Sequence, residues 1–274
     1  MKGFFLKRAE MQIAPVPAHY RGVWQRSLLE APQLHDVDTT VFWLQTGRWH
    51  ADIRLPAGRP DFSGIREFSD CNEQQLDWLV RQHGFAGVTQ VEKKGSREIC
   101  RWHRVLDYQP ARLEPDAGVM QFEPALLKET GLYSPYLEHW HLLPDSLDGF
   151  AALQLLDTNG MLATPAQFIL IAGAYVMYVR NRAIDWPAEL IPGTLLTTGV
   201  VAKYVALLDF ELSFGRRTAN GWQILHSTLP WRTGQSVSVQ LLATVQHDQV
   251  AMNVDGEVQN WKCIEWTPPL RNSD

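Results

Sequence analysis

On an extended strand, residues two apart share a face. Four segments of this chain use that spacing to set a tryptophan beside a polar or charged group: Trp24 with Arg26, Trp43 with Gln45, Trp102 with Arg104, and Trp140 with Glu138. An indole is a broad apolar wall with a single N–H. A guanidinium grips a carboxylate through two parallel hydrogen bonds, and a glutamate can hold or move a proton. Converging in one pocket, these side chains would bind an apolar or aromatic small molecule, and an anionic one if an arginine is left free. As a catalytic set they would make Glu138 the general acid/base, with Arg26 or Arg104 steadying an enolate or carboxylate. An isomerase, cyclase or hydratase fits that set. His103 joins the ligand-binding candidates from the same segment as Trp102. The same pairs also serve structure, with arginine stacked over tryptophan on an outer face or at a barrel bottom. In either role a buried arginine needs an acid, and Glu138 and Asp52 are the candidates.

His139 and His141 also stand two apart, a strand spacing used by metal ligands. Only Asp145 follows them, so no metal site is expected, and both imidazoles should face solvent while Glu138 and Trp140 face in. Haem held in a barrel needs one histidine and a large apolar pocket. Haem, and with it a haem-dependent oxygenase, therefore stays open, and no other cofactor is expected. The glycine loops that cradle phosphates and the nucleophile elbow of hydrolases are absent from the sequence. Cys71, Cys100 and Cys263 are far apart and form no Cys-x-x-Cys pair, which argues against a structural zinc site and a disulfide framework and fits a reducing compartment. Asp107, Asp116 and Glu129 stand in turn-like contexts and are expected at the surface.

The elements that must position these residues are strands. Alternating runs cover 22–30, 39–45, 48–55, 97–108 and 134–143, and Thr46-Gly47 is placed as a hairpin turn whose glycine supplies positive φ. Residues 72–84 read as a helix with Leu76, Leu79 and Val80 on one face and Gly84 at its end, and 123–131 as a short second helix. Turn-rich 144–149 divides the chain, and strands resume over 150–157, 167–173, 174–181, 201–217, 221–229, 236–248, 249–256 and 261–266. Residues 185–195 form a proline-broken connection.

The second set of strands opens as a copy of the first. Leu44, Gly47, Trp49 and Arg54 align with Leu170, Gly173, Tyr175 and Arg180, and the same offset sets Trp140 on Trp266. The chain therefore reads as two related β units, 1–145 and 146–274, whose short antiparallel strands close best as barrels or sandwiches. In the first copy Trp49, Ala51, Ile53 and Leu55 alternate with Arg48, His50, Asp52 and Arg54; in the second, the polar set becomes Ala174, Val176, Tyr178 and Arg180. Polar side chains are mostly solvated. The polar face is thus expected outside the first barrel, its greasier counterpart in an interface or a filled barrel, and the site in the first unit.

Eleven tryptophans imply large cores or aromatic pockets. A net charge of -5 without a basic run makes nucleic acid a poor partner. The stretch MKGFFLKRAEMQIAP does not read as a signal peptide, and the apolar window 168–179 is too short to cross a bilayer. A soluble cytoplasmic protein without membrane association is expected, and a homodimer is left open.

The Trp-x-Arg of Trp24 and Arg26, the hairpin FWLQ…HADIRLP and the runs HGFAGVTQ, CRWHRV and YLEHW together resemble a double-barrel family. That family includes the yeast protein named for interacting with a casein-kinase-like kinase. The likeness covers the first half and reaches the second in outline. It implies an all-β fold of two tandem calycin/lipocalin-like antiparallel β-barrels with short helices, and it implies no catalytic residues. The function expected is small-molecule binding in the first barrel. The alternatives are an enzyme on the same scaffold and a protein-interaction module with both barrels filled.

Overall fold

The computed structural model describes residues 13–187, 190, 193–242 and 248–268. Most of the segment read for a signal peptide lies outside the described residues. The first half forms β1 (Gly22–Ala31), β2 (Leu34–Asp36), β3 (Thr40–Gln45), β4 (Trp49–Leu55), β5 (His83–Lys94), β6 (Arg97–Asp107), β7 (Asp116–Glu123), β8 (Leu126–Gly131) and β9 (Leu137–Leu142). Each strand from β3 onward pairs antiparallel with the next, β1 pairs with β3, and β9 returns to β1, so eight strands close a barrel; β2 extends β1 as a short hairpin. The second half forms β10 (Phe150–Leu156), β11 (Gln167–Ala172), β12 (Tyr175–Arg180), β13 (Glu211–Thr218), β14 (Gly221–Ser227), β15 (Ser236–Leu241), β16 (Gln249–Val254) and β17 (Glu257–Thr267). These close a second eight-stranded antiparallel barrel. The protein is thus an all-β tandem of closed barrels.

Among the described residues two short helices interrupt the strands, α1 (Glu73–Val80) and α2 (Thr198–Lys203). Asn72 caps α1 reciprocally with Gln75, satisfying two backbone donors at its start. The helix stops well before Gly84, because His83 already pairs with Arg54 in the first barrel and Gly84 lies within β5. The helix expected over 123–131 is instead the hairpin end of β7 and strand β8. Residues 201–217 are not one strand: α2 and a 3-10 turn at Val205–Leu208 occupy the first part. Gly47 does not have positive φ. The space a Cβ would take there holds the carboxylate end of the Glu265 side chain of β17. Its counterpart Gly173 does have φ 54°.

The barrels share one core. Trp49, Ala51, Ile53 and Leu55 point outward from β4 and pack with Phe168, Leu170, Met177, Val179, Leu212 and Phe214 of the second barrel. Trp49 meets Phe168 with ring centroids 4.9 Å apart, and Phe42 stacks on Phe214 at 4.4 Å. It follows that the alternate residues His50 and Asp52 point into the lumen, where both are buried. The polar face expected on the outside is the inner one. An apolar outer face is what barrel-to-barrel burial demands, at roughly 25 cal/mol per Å² removed from water.

The hairpin copy keeps its register, Leu44 opposite Ala51 and Leu170 opposite Met177. The offset does not carry to the end of each unit. Arg26 faces Trp140 across β1 and β9, whereas at the matching place Leu155 of β10 faces Trp261. Trp261 is therefore the partner of Trp140, and Trp266 is exposed.

Candidate functional site

The first lumen has a closed end and an open one. At the closed end the N-terminal segment crosses the barrel: Val16 N–H donates to Gly47 O at 2.6 Å, and a 3-10 turn at Ala18–Tyr20 brings Tyr20 inside. The Trp24 indole donates to Tyr20 O at 2.8 Å and stacks on Trp43 at 6.3 Å. Beside them Thr89 donates to Gln45 Oε1 at 2.7 Å and sits 2.9 Å from His50 Nδ1. The threonine proton is committed to Gln45, so His50 is the donor through Nδ1. Burial, then the charge of Arg104, push the His50 imidazole down to about 3.

Above this floor lies a cavity of about 370 Å³ walled by Trp43, Phe85, Trp102, Trp140 and Leu29. Its polar groups form one network. Arg26 donates to Glu138 at 2.7 Å and to Asp36 at 2.6 Å. Arg54 grips Asp52 through two bonds of 2.7 and 3.2 Å and reaches Glu138 at 3.3 Å. Arg104 binds Asp116 at 2.6 and 3.0 Å and Asp107 at 2.9 Å, with its guanidinium 3.5 Å from the centre of the Phe85 ring. Burial works to raise Asp116, but Arg104 outweighs it and holds the carboxyl below its ordinary range.

Glu129 stands apart from this pairing. It lies directly opposite Glu138 on the neighbouring strand and contacts no arginine; it accepts from Tyr136 at 2.6 Å and from the Trp140 indole at 3.1 Å. Burial, then the adjacent Glu138, push its carboxyl well above the usual carboxylate range. Gly118 makes room for it: a Cβ there would lie 2.7 Å from Glu129 Cγ.

Of the residues singled out by spacing, Arg26, Arg104, Glu138, Trp43, Trp102 and Trp140 meet around this cavity and its mouth. Arg26 takes Glu138, as its burial requires. Trp24 and Gln45 belong to the floor beneath the cavity. His103 points outward to Gln90 and is exposed, because the lumenal positions of β6 are Trp102 and Arg104. His139 and His141 lie on the outer face of β9, and His141 bonds Ser27. Among the described residues no three metal-ligating side chains converge, and no histidine lines the cavity.

Asp52, the other acid expected beside an arginine, pairs with Arg54 rather than with Arg26 or Arg104, and spacing missed Arg54, Asp107, Asp116, Glu129 and Tyr136. Asp107, Asp116 and Glu129 are not surface groups. The alternation Leu127–Glu129 was the available signal for Glu129, and reading that segment as a helix hid it. Comparison with protein-family models, with curated proteins and with solved structures finds no match.

Proposed function

We propose that the protein binds a small molecule with an apolar or aromatic body in the lumen of its first, calycin/lipocalin-like barrel. The observation that carries this reading is the cavity of about 370 Å³, roofed by no residue of the second barrel's core and walled by three indoles and Phe85. Pockets of a few hundred Å³ with aromatic walls and a few fixed polar groups are the usual form of ligand sites. The reading is tested by titrating a neutral fluorescent naphthylamine into wild-type protein, Leu29→Trp and Ile169→Trp. Leu29 lines the first cavity and Ile169 the second, smaller one. Binding should fall at least about tenfold in Leu29→Trp alone, the loss expected when a ligand's apolar contacts are displaced. Equal binding by all three proteins would sink the reading.

A second reading has one specific observation behind it. Glu129 and Glu138 are adjacent carboxyl groups in unlike surroundings, one without a cation and one bound by Arg26 and Arg54. Such pairs divide acid and base roles between two residues. Catalysis would then use Glu129 as the proton donor rather than Glu138. A docking module with filled barrels is disfavoured by the two cavities, of about 370 and 250 Å³.

A further inference from the structure

We infer that the ligand of the first barrel is a cation, a protonated or quaternary amine carried on an apolar or aromatic body. The inference rests on the lumenal reading above and adds the ligand's charge to it.

The arginines leave an anion nothing to bind. Arg26, Arg54 and Arg104 each have carboxylates on both sides of the guanidinium. An anionic ligand would have to displace one of those pairs and leave a buried acid uncompensated, which is strongly unfavourable. The acids are in surplus. Asp36, Asp52, Asp107, Asp116, Glu129 and Glu138 share the lumen with Arg26, Arg54 and Arg104, and the further arginines at the mouth, Arg81 and Arg112, are exposed. The aromatic walls favour the same sign. Arg104 lies over Phe85 and Arg54 approaches Trp140, so two rings already carry cations. Among the described residues no Lys or Arg lies over Trp43 or Trp102, which meet edge to face at 5.6 Å and both line the cavity.

Glu129 supplies the matching charge. The groups around it are Glu138 across the strand pair, Tyr136 and Trp140 as donors, Asp116 and Arg54 across the lumen, and Cys100 and Tyr20 toward the floor. None is a cation in contact. In the empty barrel a proton does that work; a bound ammonium takes over the role, and Glu129 releases its proton to solvent as the cation enters. No bond is made beyond that exchange.

Three probes that share an indole body separate the outcomes: tryptamine, tryptophol and indole-3-propionate, titrated by calorimetry at pH 6 in two buffers of different ionisation enthalpy. Tryptamine should bind about tenfold or more tighter than tryptophol, the scale of one desolvated cation–aromatic contact, and only tryptamine should release protons. Glu129→Gln, which keeps one acceptor oxygen beside Tyr136 and Trp140, should abolish that release and shrink the preference for tryptamine over tryptophol. The buffer pair on wild-type protein stands even if the variant does not fold. Tryptophol or the propionate binding as tightly as tryptamine, with Leu29→Trp still blocking all three, overturns the cation while the lumenal site survives. Binding indifferent to Leu29→Trp, or absent for every probe, overturns both.

Discussion

Strand register matches the two barrels position by position. Trp102 faces Thr89 and, at the corresponding place, Trp222 faces Arg217; Trp140 corresponds to Trp261. Those indoles are retained, and the groups between them are not. Asp52 is answered by Tyr178, Arg104 by Ile224, Arg26 by Leu155 and Glu129 by Met252. The outward faces of β4 and β12 are apolar in both, because both are buried in the shared interface. One closed frame thus tolerates two differently furnished lumens, provided the charges of each arrive as a matched set, as Glu211 does with Arg180 and Arg232 in the second. Removing a member leaves a donor stranded. The Trp140 N–H has Glu129, whereas the buried Trp261 N–H has no partner where Met252 stands.

The sharpest way to break this comparison is to remove the one cation the barrels share. Arg54 and Arg180 are equivalent. Arg54 holds Asp52, which is 2 % exposed, while Arg180 holds Asp209, whose side chain is 38 % exposed, and reaches the buried Glu211, which keeps Arg232. Arg54→Ala strands a buried acid and should destabilise by about 3–5 kcal/mol. Arg180→Ala should lose about 1 kcal/mol or less. Urea unfolding of both variants reads the difference directly, and equal losses would mean that the first lumen is no more tightly coupled than the second.

Gly118→Ala asks how closely the charged set is packed. The new methyl meets Glu129 Cγ at 2.7 Å and Cδ at 3.2 Å, against a side chain held by Tyr136 and Trp140. Overpacking of this kind costs about 1–3 kcal/mol. Thermal melts with a loss below that range would show that Glu129 has slack.

Much of the fold was legible because it follows from alternation. Strand spacing, the hairpin copy and the tandem division all come from apolar residues two apart. The choice of inner face was not legible. Solvation of polar groups is the better rule for a lone barrel, but here a second barrel covers the outer face, so the usual sign of alternation reverses for β4. For the site, the pairing of tryptophan with a polar group two residues away fell on lumenal positions of four strands, whereas Trp49 is buried on the outer face and Trp266 is exposed. Acids carry no such mark. Asp116 begins β7 and Glu129 lies inside the short β8, and only closure of the barrel sets them in one lumen with arginines distant in sequence.

Two titrations sharpen the comparison further, and they oppose each other. The Glu129 carboxyl is raised by folding, chiefly by burial. Its contribution to stability is full below the unfolded value of about 4.3 and is lost as pH rises through the folded one. Glu129→Gln should therefore melt higher than wild type at pH 7, with the difference vanishing near pH 4. Above pH 4.3 the two curves should part by at most about 1.4 kcal/mol per pH unit. Identical melting curves at both pH values would place no proton on Glu129 at neutral pH.

His50 works the other way, and its counterpart in the second barrel is Val176. Its folded value of about 3 lies below the unfolded one of about 6.5, so its contribution is full above 6.5 and is lost as pH falls toward 3. Between about pH 4.3 and 6.5 the two slopes have opposite sign, and in wild-type protein they offset. His50→Val brings the second barrel's residue into the first. At pH 7 it forfeits one hydrogen bond to Thr89, on the order of 1 kcal/mol, while Thr89 keeps Gln45. At pH 5 that deficit should shrink or reverse, because the variant has no imidazole to protonate on unfolding. His83, which burial and then Arg54 bring down to about 4, keeps part of the acid slope in place. Melting temperatures of wild type and His50→Val at pH 5 and 7 decide it: a deficit that grows on acidification would mean that His50 accepts a proton inside the folded barrel, and the floor would then be as polar in behaviour as the cavity above it.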